Sequence, residues 1–289
     1  MRQVLAASRP FSWINTAYPF AAGYLLATGG RVDLTFVIGT LFFLVPYNLL
    51  MYGVNDVFDY ASDLRNPRKG GIEGALVDPA AARTVHRRIL WAAGLSTAPF
   101  LGWLLAVGSP AAAGTLLAVL LLVVAYSVPG LRFKERPVLD SATSAMHFVG
   151  PLLYSLVLVG ADLGARSVWP VLVAFVAWGM ASHAFGAVQD VRADREGAIA
   201  SVATVLGAHP TVVAATAGYL VAAAVLTVLP WPGWLAAVLP LPYAVSTAAH
   251  WSVRDEDCER ANAGWRRFLW LNLVTGFLVT MLLIAVARR

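Results

Sequence analysis

The chain has 289 residues, of which 59% are hydrophobic and 13% charged, and its mean hydropathy is +0.69. Soluble domains carry about 25% charged residues, so the composition excludes an ordinary soluble protein and indicates a polytopic helical membrane protein. The net charge of +5 does not call for a nucleic-acid partner, because the basic residues lie between apolar segments, and the single cysteine, Cys258, excludes an intramolecular disulfide.

Apolar segments of about membrane-spanning length follow one another from end to end. We predict nine of them, at 11–28, 34–55, 90–107, 111–128, 138–160, 168–188, 211–229, 233–250 and 267–287. Gly29-Gly30 and Pro129-Gly130 are typical of the turns that separate such segments. No small-residue cleavage site precedes the first segment, so we expect no cleaved signal peptide. The predicted fold class is therefore all-α.

The distribution of basic residues predicts the orientation in the membrane. With the N-terminus in the cytoplasm, 17 of the 21 lysines and arginines fall on the cytoplasmic side, and the other four are Arg31, Arg166, Arg288 and Arg289. This asymmetry follows the positive-inside rule. The long or charged loops at 64–89, 129–137 and 189–210 are then cytoplasmic. We predict a multi-pass cell-membrane protein with its functional loops on that face.

An acidic motif closes the second predicted segment. Asp56, Asp59 and Asp63 are spaced three and then four residues apart, which on a helix places them on one face, and Asn55 directly precedes them. Carboxylates attached to a membrane segment are costly and indicate function. Mg²⁺ takes oxygen ligands and often shares them with phosphates. The motif therefore predicts a Mg²⁺–diphosphate site.

A second acidic motif closes the sixth predicted segment. Asp190 and Asp194 are again on one helical face, and Gln189-Asp190 between two valines repeats the pattern of Asn55-Asp56. The second and sixth segments run in the same direction, which suggests a weak parallel repeat. Two such motifs could hold Mg²⁺ ions that bridge one diphosphate, although acidic residues at a helix end can also be merely solvated.

Basic and polar residues near these motifs could bind the diphosphate. Lys134 and Arg136 lie in the turn between the fourth and fifth segments, beside Tyr126, and Arg68 with Lys69 follows the first acidic motif. The alternative is that these charges only set the topology. His147 and His183 lie within segments, and we interpret each as a buried histidine satisfied by a neighbour.

A transporter or divalent-cation channel is the rival interpretation from another class. It too would carry carboxylates within membrane segments and internal repeats. It predicts acidic residues near the middle of the bilayer, whereas here they lie at segment ends beside basic loops. That placement favours an enzyme acting on a diphosphate.

These residues carry a resemblance to the UbiA-type intramembrane prenyltransferases. The pattern from Asn55 to Asp63 resembles their first aspartate motif, and the pattern from Asp190 to Gly197 is similar to their second. Tyr126 with Lys134 resembles the tyrosine–lysine motif between helices four and five, and Arg9-Pro10 also fits. The resemblance implies a single domain over 1–289. It also implies a bundle of about nine transmembrane helices around a central lipid-accessible cavity, capped by cytoplasmic loops.

The resemblance also implies an activity. A prenyl group would move from a prenyl diphosphate to a lipophilic acceptor within the lipid membrane, with Mg²⁺ as cofactor. Asp56, Asp59, Asp190 and Asp194, with Asp63, would hold the metal. Lys134, Arg68, Lys69, Arg136, Tyr126, Asn55 and Gln189 would contact substrate. The stretch 66–76 resembles the branch that acts on acyclic carotenoids, so we expect lycopene as acceptor and dimethylallyl diphosphate as donor; an aromatic quinone precursor is the alternative acceptor.

Overall fold

The computed structural model of the chain describes residues 2–60, 64 and 77–288. Every regular element in these residues is helical, which confirms the predicted all-α class. The α-helices are α1 Arg2–Ala7, α2 Trp13–Ala27, α3 Leu34–Leu44, α4 Pro46–Phe58, α5 Ala82–Val107, α6 Pro110–Ser127, α7 Leu139–Leu158, α8 Trp169–Val188, α9 Val191–Glu196, α10 Val202–Leu206, α11 Ala208–Leu226, α12 Leu241–Ala248 and α13 Asn262–Ala287. Short 3₁₀ helices lie at Pro10–Ser12, Phe133–Glu135, Gly233–Val238 and Asp255–Ala261.

Seven helical segments among the described residues are long and apolar enough to cross a membrane. They are Leu34–Phe58, Ala82–Val107, Pro110–Ser127, Leu139–Leu158, Trp169–Val188, Ala208–Leu226 and Asp255–Ala287. The other two predicted segments correspond to shorter elements, Trp13–Ala27 and Gly233–Ala248, and the second of these is divided where prolines 240 and 242 interrupt it. A multi-pass membrane protein is confirmed, while the number nine stays a prediction.

Two helix boundaries differ from those predicted. Helix α5 begins at Ala82 rather than near residue 90, because its first two turns carry Arg83, Arg87 and Arg88 on an exposed face that hydropathy alone cannot distinguish from a loop. The predicted segment 34–55 is two helices, α3 and α4, because Pro46 has no backbone N–H to continue the first.

Side chains repair the backbone at the break between α3 and α4. The amide nitrogen Nδ2 of Asn48 lies 2.8 Å from the carbonyl oxygen of Phe43 and 3.1 Å from that of Leu44. The hydroxyl of Thr16, on α2, donates to the same Phe43 carbonyl at 2.6 Å. Asn48 and Thr16 are both fully buried. Since hydrocarbon offers no hydrogen bonds, these two side chains replace the donors that the broken helix lacks.

The chain divides into two compact units. The first comprises Met1–Arg132 and Gly150–Ala161, and the second Phe133–Val149 and Asp162–Arg289. The core of the first unit is a cluster of aromatic rings that includes Phe20, Phe42, Phe43, Tyr47 and Tyr154. The core of the second packs α8 against α11, α12 and α13 through rings that include Trp178, Phe185, Tyr219, Tyr243 and Phe268. Each unit thus carries one of the predicted acidic motifs on its own packed helices.

Candidate active site

The first acidic motif lies at the end of α4, in the first unit. Asn55 and Asp56 are in the last helical turn, and Asp59 is the residue that ends the helix, its N–H bonded to the carbonyl of Asn55 at 2.9 Å. The side chains of Asp56 and Asp59 are only 11% and 7% exposed. Two carboxylates this buried need compensating groups, because desolvating an ion is expensive.

Two arginines from distant parts of the sequence face these carboxylates. Arg9 Nη2 lies 3.0 Å from Asp56 Oδ1, and Arg132 Nη2 lies 3.7 Å from Asp59 Oδ1. The guanidinium of Arg9 also lies over the ring of Tyr52, 4.4 Å from its centroid. In the sequence, Arg132 counts only as one of the basic residues that predict the orientation in the membrane, and Arg9 supports the family resemblance. No sequence signal assigns either arginine to a carboxylate, because they lie 47 and 73 positions away.

Both arginines adopt a left-handed backbone conformation. Arg9 has φ 49° and ψ 72°, directly before Pro10, and Arg132 has φ 38° in the turn after Gly130. A residue other than glycine in this region costs about 1–3 kcal/mol, which the surrounding structure must compensate. Such strain concentrates at functional sites. The two conformations aim the guanidinium groups at the first acidic motif.

The amide before the aspartate anchors the first motif to a neighbouring helix. Asn55 Oδ1 accepts a hydrogen bond of 2.8 Å from the hydroxyl of Ser127, the last residue of α6. Tyr126, half-buried, precedes that serine. The turn after α6 is closed by the N–H groups of Leu131 and Arg132, which both donate to the carbonyl of Val128. The predicted Tyr126 region is therefore hydrogen-bonded to the end of α4.

Lys134 and Arg136 belong to the second unit. Lys134 is half-buried within the 3₁₀ helix Phe133–Glu135, and Arg136 is exposed with its guanidinium 5.7 Å from the centroid of the Phe133 ring. The carbonyl of Arg136 accepts from the N–H of Asp140, which ties this turn to the start of α7. Both cations thus stand on a short ordered turn.

The second acidic motif lies where α8 passes into α9. The helix ends at Val188, Gln189 and Asp190 form the junction, and α9 begins at Val191. The N–H of Asp194 donates to the carbonyl of Asp190 at 2.8 Å, so the predicted spacing of one helical turn is confirmed. Both aspartates are half-buried.

Gln189 anchors this second motif as Asn55 anchors the first. Its Oε1 accepts from Asn262 Nδ2 at 2.6 Å, and its Nε2 donates to the carbonyl of Gly186 at 2.9 Å. The thiol of Cys258 contacts its backbone carbonyl. The amide–aspartate pattern that repeats in the sequence therefore has a structural basis, since each amide joins the acidic end of one helix to another helix of its unit.

The described carboxylates fit a metal that shares its ligands with a substrate. Among the described residues, no three His, Cys, Asp or Glu side chains are grouped to hold an ion by themselves. Mg²⁺ usually takes only one or two carboxylates and completes its shell with water and phosphate oxygens. Paired aspartates at positions 56 and 59, and at 190 and 194, meet that requirement. Asp63, Arg68 and Lys69, together with the stretch 66–76, lie outside the described residues.

Curated proteins supply close relatives. A carotenoid biosynthesis protein from Dietzia, described as acting in C50 β-cyclic carotenoid biosynthesis, is 54% identical over 96% of this chain; the chain spans 63% of that relative's length. A lycopene elongase/hydratase from Corynebacterium glutamicum is 48% identical over 99% of this chain and 98% of its own length.

Solved structures and family models agree on the fold. A UbiA homologue from Archaeoglobus fulgidus bound to GPP and Mg²⁺ superposes with a TM-score of 0.69 at 17% identity, over 94% of this chain and 99% of that one. The model of the UbiA prenyltransferase family matches residues 16–285. The chain therefore belongs to the UbiA prenyltransferase family.

Proposed function

We propose that this chain is a Mg²⁺-dependent prenyltransferase that moves the five-carbon group of dimethylallyl diphosphate to an end of an acyclic carotenoid such as lycopene. The observation that carries the proposal is the match to proteins named lycopene elongase/hydratase, at 48% and 47% identity over 99% of this chain. The stretch 66–76 agrees with this match, because it resembles the carotenoid branch rather than the branch for aromatic acceptors.

The aspartates of both motifs supply the metal ligands in this proposal. Asp56, Asp59, Asp190 and Asp194, with Asp63, would hold Mg²⁺, which when bound neutralises charge on the diphosphate leaving group. Asn55 and Gln189, which we expect to contact the substrate, also keep the motifs in place through their hydrogen bonds to Ser127 and Asn262.

Fixed cations stabilise the charge that develops when the donor ionises. Lys134, with Arg68, Lys69 and Arg136, would contact the diphosphate oxygens, and Tyr126 would donate a hydrogen bond. Arg9 and Arg132 extend this set, because both already lie beside the first motif. Cations fixed in advance need no rearrangement as the carbon–oxygen bond breaks.

The apolar helices account for the rest of the chemistry. The allylic cation must meet an acceptor double bond before it meets water, and apolar surroundings exclude water. A hydrocarbon acceptor needs no polar anchor, whereas an aromatic acid would need a cation within the membrane segments. We also propose that the N-terminus and the loops bearing both motifs face the cytoplasm, on the evidence of the basic residues.

Pigment analysis tests the proposal. The chain is expressed in cells that accumulate lycopene, and the pigments are examined by mass spectrometry. We expect lycopene to gain one or two five-carbon units, with or without added water. The D162N variant should elongate lycopene as the wild type does. Asp162 is an exposed loop aspartate outside both motifs, and an asparagine can still accept the hydrogen bond from the N–H of Gly164. Unchanged lycopene, with prenylation of an added aromatic acid, would refute the proposal in favour of the quinone-precursor alternative.

Accessibility to labelling tests the orientation. In a Cys258→Ser background, cysteines at positions 70 and 132 should react with an impermeant reagent only from the cytoplasm, and one at position 109 only from outside. Labelling of positions 70 and 109 from the same side would contradict the predicted orientation of the membrane segments.

A further inference from the structure

One stripe of α8 leads from the membrane interior to the second acidic motif. Val176, Met180, His183 and Ala187 on α8, and Asp190 in the turn that follows this helix, are spaced alternately four and three residues apart. This spacing brings them to one side of the helix, and all five are half-buried. His183 and Asp190 are the polar members of this stripe. They are separated by two helical turns, or about 10 Å along the axis.

A fully buried carboxylate faces the histidine of this stripe. Asp140, near the start of α7, is 0% exposed, and its Oδ2 lies 3.9 Å from Nε2 of His183, whose side chain is 21% exposed. Asp140 Oδ2 accepts from the N–H of Val202 at 2.7 Å, and Oδ1 accepts from the N–H of Ser141 at 2.7 Å. The carboxylate is thus fixed by two backbone donors, while the imidazole beside it is partly exposed.

Close helix packing fixes the distance between the two groups. A Cβ built on Gly179 would stand 2.8 Å from the Cβ of Ala145, so α7 and α8 approach more closely there than a larger residue would permit. Gly179 lies one turn from His183, and Ala145 little more than one turn from Asp140. The glycine therefore permits the close approach of the two helices that carry the carboxylate and the imidazole.

We propose that His183 is the terminal proton acceptor of the prenyl transfer and that Asp140 is its positioning residue. The inference rests on the proposed function, because it assumes that Asp190 helps to hold the donor's diphosphate. A base two turns farther along the same stripe then lies on the hydrocarbon side of the diphosphate, where the new bond forms. The diphosphate itself is kept away from the histidine by that separation.

The proposed step balances as follows. The carbon–oxygen bond of the donor breaks, and its electron pair leaves with the diphosphate. The terminal double bond of the acceptor attacks the allylic carbon, which forms a carbon–carbon bond and leaves a tertiary cation on the acceptor. Nδ1 of His183 takes a proton from the adjacent carbon, and the C–H pair becomes the new double bond. Where water adds to the cation instead, the same nitrogen takes a proton from that water. The imidazolium is stabilised by the carboxylate of Asp140.

Separate measurement of donor ionisation and product formation tests this role. Wild type, H183Q and D140N are compared in liposomes with labelled dimethylallyl diphosphate, lycopene and Mg²⁺, following diphosphate release and elongated carotenoid in parallel. In H183Q we expect elongated carotenoid to fall about 100-fold or more while diphosphate release falls less than about 10-fold. A tertiary cation that cannot lose its proton reverts when the new carbon–carbon bond breaks and its electron pair returns to the acceptor double bond. Water then captures the regenerated allylic cation as dimethylallyl alcohol. D140N should lower the ratio of elongated carotenoid to released diphosphate by a smaller factor. The imidazole is still present in this variant, and the asparagine can still accept from the N–H of Val202.

His250→Gln is the matched control. His250 is also buried in the second unit, and its ring packs 5.5 Å from that of Phe185 on α8. H250Q should keep the wild-type ratio of product to diphosphate. If H183Q does not fold, H183N carries the same comparison.

Two results would overturn the assignment. One is an unchanged product ratio in H183Q and D140N. The other is an equal loss of diphosphate release and product, which would mean that His183 serves donor binding or the fold. Failure of the wild type to elongate lycopene would instead refute the proposed function itself, and with it this inference.

Discussion

In the first acidic motif, Asp56 and Asp59 face arginines from elsewhere in the chain, at 3.0 Å and 3.7 Å. In the second motif, the arginines that alternate with the aspartates are paired with another segment. Arg192 contacts Glu259, and Arg195 contacts Asp255, each at 2.5 Å. Arg195 also donates to the carbonyl of Thr204, and Asp255 accepts from the N–H of Ala208 at the start of α11.

This difference separates two ways of using the same residue types. The first motif combines buried carboxylates with cations that remain beside them, so charge is compensated within the site. The second uses its neighbouring arginines to fasten α9 to the segment Asp255–Ala261 and to α10. Removing an arginine should therefore affect chemistry and stability together in the first motif, and mainly local stability in the second.

The largest effects should come from the aspartates themselves. We expect D56N and D190N each to lower diphosphate release by at least about 100-fold at saturating Mg²⁺, because each removes a metal-ligand charge that stabilises the transition state. Measurement uses purified protein in liposomes with labelled donor. D56N should also lower the midpoint of thermal unfolding, since it leaves Arg9 without its carboxylate. Retention of more than a tenth of wild-type activity by either variant would contradict its assignment as a ligand.

Removal of Arg9 should have the next largest effect. R9Q leaves the Asp56 carboxylate buried without its guanidinium, and we expect a loss of about 2 kcal/mol in the free energy of unfolding, less than for a fully buried pair because Arg9 is 19% exposed. Turnover should fall with it. Thermal unfolding in detergent micelles and steady-state assays measure the two quantities. An R9Q protein as stable and as active as wild type would show that Arg9 does not compensate the charge of the first motif.

Asp255→Asn should have a smaller effect, confined to stability. The asparagine can still accept from the N–H of Ala208 but loses its charge, so we expect a loss of about 1 kcal/mol. Because the described contacts of Asp255 are with Arg195 and Ala208, which are not among the predicted substrate-binding residues, the activity of the folded fraction should stay near wild type. A variant that kept its stability but lost diphosphate release would show that this segment takes part in the site.

Arg192→Gln should have the smallest effect. The Arg192–Glu259 pair is 58% and 47% exposed, and exposed pairs of this kind contribute about 0–1 kcal/mol. We expect unfolding free energy and activity close to wild type. The paired measurement with R9Q tests the comparison directly, because the two variants remove the same charge beside different motifs. An effect of R192Q equal to that of R9Q would remove the distinction.

Sequence reasoning predicted the features that depend on spacing and hydropathy. The acidic turns, the amides before them and seven of the membrane segments are periodic patterns, and the described residues confirm them as helix ends and apolar helices. It failed where polar residues extend an apolar helix, as in the first turns of α5, and where Pro46 divides one segment into two. Neither error moves a site residue.

The pairing of charges could not be predicted in the same way. Arg9 and Arg132 resemble the other cationic residues of the same loops, and their left-handed conformations become visible only when the backbone is known. The contact of Asp140 with His183 joins residues 43 positions apart on two helices. Long-range pairing is set by how helices pack, and a single sequence carries no record of that packing.

The repair of the break at Pro46 has a consequence for how the protein is made. Until Asn48 and Thr16 reach the Phe43 carbonyl, an unsatisfied backbone group inside the bilayer costs several kcal/mol, which disfavours stable insertion of α3 and α4 by themselves. Thr16 belongs to α2, which leaves the ribosome first. Helix α2, which supplies the Thr16 hydroxyl, is therefore synthesised before α3, whose Phe43 carbonyl needs that donor. The order of the chain allows α3 and α4 to be stabilised as they enter the membrane.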